Sequence, residues 1–223
     1  MKTSAVIVAA GSGSRMGAGY NKVYMPLCGE PVLRHTLKAF AKSGVCDEII
    51  IVTGTDDFDR AKSAADGLGI EYKLTAGGKT RQHSVINGIN AASGELVAVH
   101  DGARALITPE LITAVINAAK ECGGAALGVV AKDTIKVADK EGFITATVER
   151  NSAYQIQTPQ VFVREELIKA HEKALSDGFV ATDDCAVMER IGAKIKIVNG
   201  SYENIKLTTA EDIFTAEGIL SKR

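Results

Sequence analysis

No C-x-x-C pair occurs among the four cysteines, and Cys28, Cys46, Cys122 and Cys185 stand far apart in the chain. That spacing argues against a zinc site and reads as the reduced thiols of an intracellular protein. No segment reaches the ~18–20 consecutive apolar residues that a membrane span needs. The opening "MKTSAVIVAAGSGSRMG" superficially resembles a signal peptide, with a charge before an apolar stretch. The stretch is too short and runs straight into glycines, so it reads as a buried strand of a cytoplasmic protein. Charge of one sign is also missing: 26 Lys and Arg against 27 Asp and Glu leave a net charge of −1. Neither nucleic acid nor a membrane surface is therefore an expected partner, and any basic character must be gathered in a site. His35, His83, His100 and His171 lack metal-ligand spacing, and no Ser/His/Asp set is evident. There is no linker, repeat or low-complexity segment. At 223 residues the chain is long enough for one large α/β domain, or one domain with an appendage.

What is present is strand–helix alternation. Continuous apolar, β-branched runs at 4–10, 47–54, 70–75, 95–103 and 124–131 read as strands. Between them, helical spacing covers 31–44, 56–69, 80–94 and 109–123, the last with Pro109 in its first turn. This pattern calls for a wound, mostly parallel sheet with helices on both faces, whose ligands bind at the carboxyl ends of the strands. It breaks at 132–162. Two short alternating segments, around 134–137 and 143–148, flank the turn "ADKEG" and read as a hairpin inserted into the fold. A lone hairpin is marginally stable, so it should pack on something, and a second subunit is the expected support. A helix over 163–176, a helix beginning near "TDDCAVMERIG", the strand "KIKIVNG" and a helix around 209–222 complete the chain.

The loop after the first strand, "AAGSGSRMGAGYNKVYMPLCGEP" (9–31), carries the strongest local signal. Gly11 and Gly13 form Gly-x-Gly, but the third glycine of a dinucleotide fingerprint and the Gly-Lys-Ser/Thr of a P-loop are both missing. Glycines let the backbone approach a polyphosphate and point N–H groups at it. Arg15 and Lys22 then supply fixed positive charge for a phosphoryl centre under attack. The alternative is a tight turn with two solvated cations. "GGK" (77–79), followed by a helix start, offers exposed N–H groups suited to a base edge, or is simply a turn and helix N-terminus. "VHDGAR" (99–104) sets Asp101 and Arg104 at the end of a buried strand. There a carboxylate can help hold Mg²⁺ and a guanidinium can grip phosphate, or the two form a structural ion pair. His100 reads as a packing or hydrogen-bonding residue.

The full string "AAGxGxRMG…NKxxMPLxGxP" resembles the pyrophosphorylase loop of nucleotidyltransferases. More narrowly, the chain resembles the 2-C-methyl-D-erythritol 4-phosphate cytidylyltransferase family of the non-mevalonate isoprenoid pathway. "GGKTRQHSV", "VHDGAR", "KDTIK", "ERN…QTPQVF", "TDD" and "ENIKLTT" follow in matching order over almost the whole length. The resemblance implies a Rossmann-like sheet of the nucleotide-diphospho-sugar transferase type, with 1–223 as one domain and 132–152 as a β-arm exchanged in a homodimer. It implies CTP as nucleotide, Mg²⁺ or another divalent cation, and release of pyrophosphate. By position, Ala9, Ala10, Gly11 and Gly13 would hold the CTP phosphates and part of the nucleotide, with Gly102 close by. Gly78, Lys79 and Ser84 would read cytosine and ribose. Arg15 and Lys22 would stabilise the transition state, and Lys206 would bind the triphosphate. Asp101, Arg104, Thr134, Arg150, Thr158 and Thr182 would face the polyol phosphate, Thr134 and Arg150 from the partner's arm, with Asp101 a metal ligand as well. The chain departs from the family pattern at Lys79, commonly acidic, and at Ala105 and Ala210, often proline.

No general base is required, because a phosphate monoester is largely ionised near neutrality and is itself the nucleophile. Two rivals stand beside this reading: a cytidylyltransferase that uses D-ribitol 5-phosphate, and a silent nucleotide-binding module. A dehydrogenase is disfavoured by the missing third glycine and by the lack of an acidic residue ending "DEIIIVTG".

Overall fold

Odd and even residues of the first strand bury on opposite faces, and that alternation organises the protein. The computed structural model describes residues 1–11 and 21–223. In β1 (Thr3–Val8), Ala5 and Ile7 point to one core and Val6 to another. A short hairpin, β2 (Pro26–Leu27) and β3 (Glu30–Pro31), leads into α1 (Val32–Ser43). Then follow β4 (Glu48–Thr53), α2 (Phe58–Ala65), β5 (Tyr72–Ala76), α3 (Arg81–Ala91), β6 (Leu96–Asp101) and α4 (Pro109–Cys122). Ile49 and Ile51 share the face of Ala5 against α1, α2 and α4, while Ile50, Val52, Val97 and Val99 join Val6 against α3. Gly88 of α3 sits so close to the sheet that an added Cβ would lie 2.3 Å from Val6 Cγ1. With Val52 Cγ2 at 2.8 Å from the same added atom, α3 packs directly on β1 and β4.

The second half holds β7 (Gly124–Val130), β8 (Lys136–Ala138), β9 (Ile144–Thr147), β10 (Tyr154–Val163), α5 (Arg164–Ser176), α6 (Asp184–Glu189), β11 (Lys196–Asn199) and α7 (Glu211–Leu220). The main sheet runs β11-β7-β10-β6-β1-β4-β5, with β10 antiparallel to both of its neighbours. The wound α/β expectation holds, and β8 and β9 form the expected hairpin.

One element has no counterpart in the sequence reading: the alternation is lost over 132–162 and "QIQTPQVF" is given no strand, yet β10 is a ten-residue strand inside the main sheet. Its central residues Gln157, Thr158 and Gln160 are polar and buried, and its register shifts between Ile156 and Gln160. A buried strand that spends its polar groups on tertiary hydrogen bonds does not display the apolar run that marks its neighbours.

Candidate active site

β1 joins β4 on one side and β6 on the other, so the crevice outside the carboxyl ends of β1 and β6 is the switch point where such sheets bind ligands. A cleft of about 430 Å³ opens there. Ala9, Ala10 and Gly11 form one wall, Gly78, Lys79, Thr80, Arg81 and Ser84 another, and Lys22, Asp101 and Lys206 its charged floor and rim.

The backbone at the end of β1 is tied down from three sides. Ala9 N–H donates to Val52 O (2.7 Å), Gly102 N–H donates to Val8 O (2.9 Å), and the Asn21 side-chain amide donates to Ala9 O. Asn21 Oδ1 in turn accepts from Val23 N–H (3.3 Å), which fixes the turn that presents Lys22. Opposite, Thr80 caps α3, and Ser84 Oγ accepts from Gly78 N–H (3.0 Å) while donating to Thr80 O (3.0 Å). Gly78 has no room for a side chain, since an added Cβ would lie 2.3 Å from His83 Cβ. The amino end of α3 thus faces the cleft with backbone groups exposed, a setting that favours anions. Lys79 lines the same wall.

Asp101 is the hub. Its Oδ1 accepts from Arg81 Nε (3.2 Å), its Oδ2 lies 2.8 Å from Lys206 Nζ, and Arg104 Nε is 4.0 Å away. Burial alone would raise its pKa, but Arg81, Lys206 and Arg104 outweigh that and hold the carboxyl well below the usual range. Behind it, Asp101 N–H donates to Thr158 Oγ1 (3.1 Å), and Thr158 Oγ1 lies 3.0 Å from His100 Nδ1. His100 Nε2 faces Arg104 O at 3.4 Å. A carbonyl can only accept, so Nε2 carries the proton and Nδ1 accepts from the threonine hydroxyl. Full burial pushes the imidazole down to about 3, which keeps it neutral. His100 is therefore a hydrogen-bonding residue, as the sequence suggested.

The expected site residues that the structure describes divide into three groups. Ala9, Ala10, Gly11, Lys22, Gly78, Lys79, Ser84, Asp101 and Lys206 meet around the cleft, with Gly102 beside it. Thr158 lies behind the cleft with its hydroxyl committed to Asp101 and His100. Arg104 donates to Asn204 O (2.7 Å) and so fastens the segment bearing Lys206, while Leu207 N–H donates to Ala103 O (2.9 Å). Thr134 and Arg150 are exposed on the arm, where Arg150 donates to Thr134 Oγ1 (3.0 Å), and Thr182 is exposed just before α6. Gly13 and Arg15 lie outside the described residues.

Arg81 and Asp184 are the charged residues the sequence reading missed. Both lie inside quoted motifs, "GGKTRQHSV" and "TDD", but each stands in the first turn of a helix, where a charge ordinarily faces water. At the two departures from proline, Ala105 is buried against Leu27 and Val32, and Asp212 supplies the turn before α7 by accepting from Thr208 N–H and Thr209 N–H.

The family model described as 2-C-methyl-D-erythritol 4-phosphate cytidylyltransferase matches residues 3–222. The chain belongs to this family. A relative of that name from Caldanaerobacter subterraneus subsp. tengcongensis is 47% identical, with all of both chains covered. One from Geobacillus kaustophilus is 42% identical over all of this chain and 99% of its own. Among solved structures, the 4-diphosphocytidyl-2C-methyl-D-erythritol synthase of Anaerococcus prevotii superposes with a TM-score of 0.90 at 35% identity, covering 99% of this chain and 98% of its own. The chain is a cytidylyltransferase, and among the described residues no helix is long and apolar enough to cross a membrane.

Proposed function

We propose that the cleft between β1, α3 and the Lys206 segment is where CMP passes from CTP to 2-C-methyl-D-erythritol 4-phosphate. The family's reaction, cytidylyl transfer for isoprenoid precursors, is this chain's activity; the residue roles are our reading of the cleft. The observation that carries it is the convergence of Lys22, Lys206 and Arg81 on a crevice with one carboxylate, Asp101, between the end of β1 and the amino end of α3.

Ala9, Ala10, Gly11 and Gly13 cradle the triphosphate, and Gly78, Lys79 and Ser84 read the cytidine. A phosphate oxygen of the polyol phosphate attacks the α-phosphorus in line. A new P–O bond forms, the bond to the β-phosphate oxygen breaks, and pyrophosphate leaves on the opposite side. Arg15, Lys22 and Lys206 meet the charge that accumulates on the phosphoryl oxygens. A divalent cation fits the donor set. Asp101 offers one carboxylate, no group of three ligating side chains exists among the described residues, and Mg²⁺ commonly takes one or two carboxylates plus substrate phosphates. Asp101 would hold it, and the ion would neutralise charge on the triphosphate.

We further propose that residues 1–223 act as one domain in the cytoplasm, paired through the arm at 132–152. Val137, Phe143 and Ile144 are exposed there beside Thr134 and Arg150, an apolar surface suited to a second copy. Arm exchange predicts complementation. Arg150→Ala and Lys22→Ala chains, each nearly inactive alone, should regain about a quarter of the wild-type rate after subunit exchange, because about half the dimers are mixed and each mixed dimer has one intact site. No recovery would contradict exchange. The reading as a whole is tested by pyrophosphate release from CTP that depends on the polyol phosphate.

A further inference from the structure

From the cleft wall at Arg81 a chain of charges runs back into the protein, away from the reacting groups. Arg81, the first residue of α3, bridges two carboxylates from different elements. Its Nε contacts Asp101 Oδ1 on β6 (3.2 Å), and its terminal NH2 donates to Asp184 Oδ2 on α6 (2.9 Å). Asp184 is 1% exposed and lies outside the cleft lining. It is held in place from β10, where Gln160 Oε1 accepts from the N–H of Asp184 (2.9 Å) and of Cys185 (3.0 Å), and Gln160 Nε2 donates to Asp183 Oδ2 (3.0 Å). Among the described residues the other carboxylate oxygen, Oδ1, has no hydrogen-bond donor, and His171 Nε2 lies 3.4 Å away without hydrogen-bond geometry.

Asp101 thus gives each oxygen to a different cation. Oδ1 pairs with Arg81, whose guanidinium is locked by Asp184 at its far end, while Oδ2 pairs with Lys206, which reaches the cleft from a loop. A fixed planar fork and a flexible ammonium differ in how readily they let go.

We propose that Arg81 is a positioning residue, the permanent counter-ion of Asp101, and that Asp184 holds it there so that Lys206 can exchange Asp101 for a substrate phosphate. When Lys206 turns to phosphate, Asp101 stays paired through Oδ1 and remains an oriented carboxylate. Without Arg81, Asp101 has Lys206 as its nearest cation and withholds it from the reaction. The cost falls on the chemical step, because CTP is gripped mainly by backbone at β1 and α3 that this change leaves alone.

The inference rests on the proposed role of the cleft, and wild-type turnover measured beside the variants reports separately on that role. Arg81→Gln strands a buried carboxylate and should lower the unfolding temperature. The double variant Arg81→Gln/Asp184→Asn removes both charges and should recover most of that loss. Its kcat should nevertheless remain down on the order of ten- to a hundred-fold, with KM for CTP little changed, the range typical when a supporting hydrogen-bonded partner is lost. Asp184→Asn alone keeps an oxygen for the Arg81 NH2 and the whole backbone network, so it folds, and its kcat should fall several-fold, less than in the double variant. Recovery of kcat together with unfolding temperature in the double variant would make Arg81 a merely structural residue and overturn the proposal. An unchanged kcat in Asp184→Asn would do the same for the role of Asp184.

Discussion

Lys22→Ala should lower kcat/KM for cytidylyl transfer by about two to three orders of magnitude while leaving the fold intact, the range seen when one preorganised transition-state contact is removed. The side chain lines the cleft, and its backbone is fixed without it. Asn21 clamps both Ala9 O and Val23 N–H, Tyr24 N–H donates to Asn21 O (3.0 Å), and Met25 N–H donates to Lys22 O (3.1 Å). Truncation therefore removes charge from the phosphoryl centre and leaves the turn in place. Steady-state kinetics with thermal unfolding as a control checks this. Activity within a few-fold of wild type would remove Lys22 from the mechanism.

Lys206→Ala should cost at least about a hundredfold in kcat, for a related but distinct reason. Lys206 is the cation that can leave Asp101 for a phosphate, so its loss removes one phosphate contact and one partner of the hub carboxylate. The fold should survive. Arg81 and Arg104 still face Asp101, and the segment remains fastened by Arg104 to Asn204 O and by Leu207 N–H to Ala103 O. Asn204 adds donations to Gln157 Oε1 and Thr158 O, both 3.2 Å. Circular dichroism beside kinetics separates the two effects. A nearly unchanged kcat would mean that Lys206 only balances the charge of Asp101.

The residues legible in the sequence share a physical property, namely that their signals are local. Gly11, Lys22, Gly78 and Asp101 sit where a strand ends or a helix begins, so strand–helix alternation puts them near one edge of the sheet, while their roles, and Ser84 altogether, come from the resemblance. Lys206 was harder, since alternation with Ile205 and Leu207 makes it pass for the outward residue of a strand, and only the resemblance of "ENIKLTT" drew it in. Arg81 and Asp184 were out of reach because their meaning lies in contacts across 20 and 103 positions of chain. For Thr158 the resemblance implies a contact with the polyol phosphate. In the folded chain its hydroxyl orients Asp101 through the backbone N–H and is answered by His100. β10 escaped for the converse reason, since Gln157, Thr158 and Gln160 are polar in sequence but buried in place, each with a defined hydrogen-bond partner.

Pyrophosphate release from CTP and Mg²⁺ by the wild-type chain, measured across a panel of polyol phosphates, is the most direct test of cytidylyl transfer at this cleft. Release should require the polyol phosphate and be fastest by a wide margin with 2-C-methyl-D-erythritol 4-phosphate. Equal or faster release with D-ribitol 5-phosphate, or CTP binding with no pyrophosphate released, would contradict it.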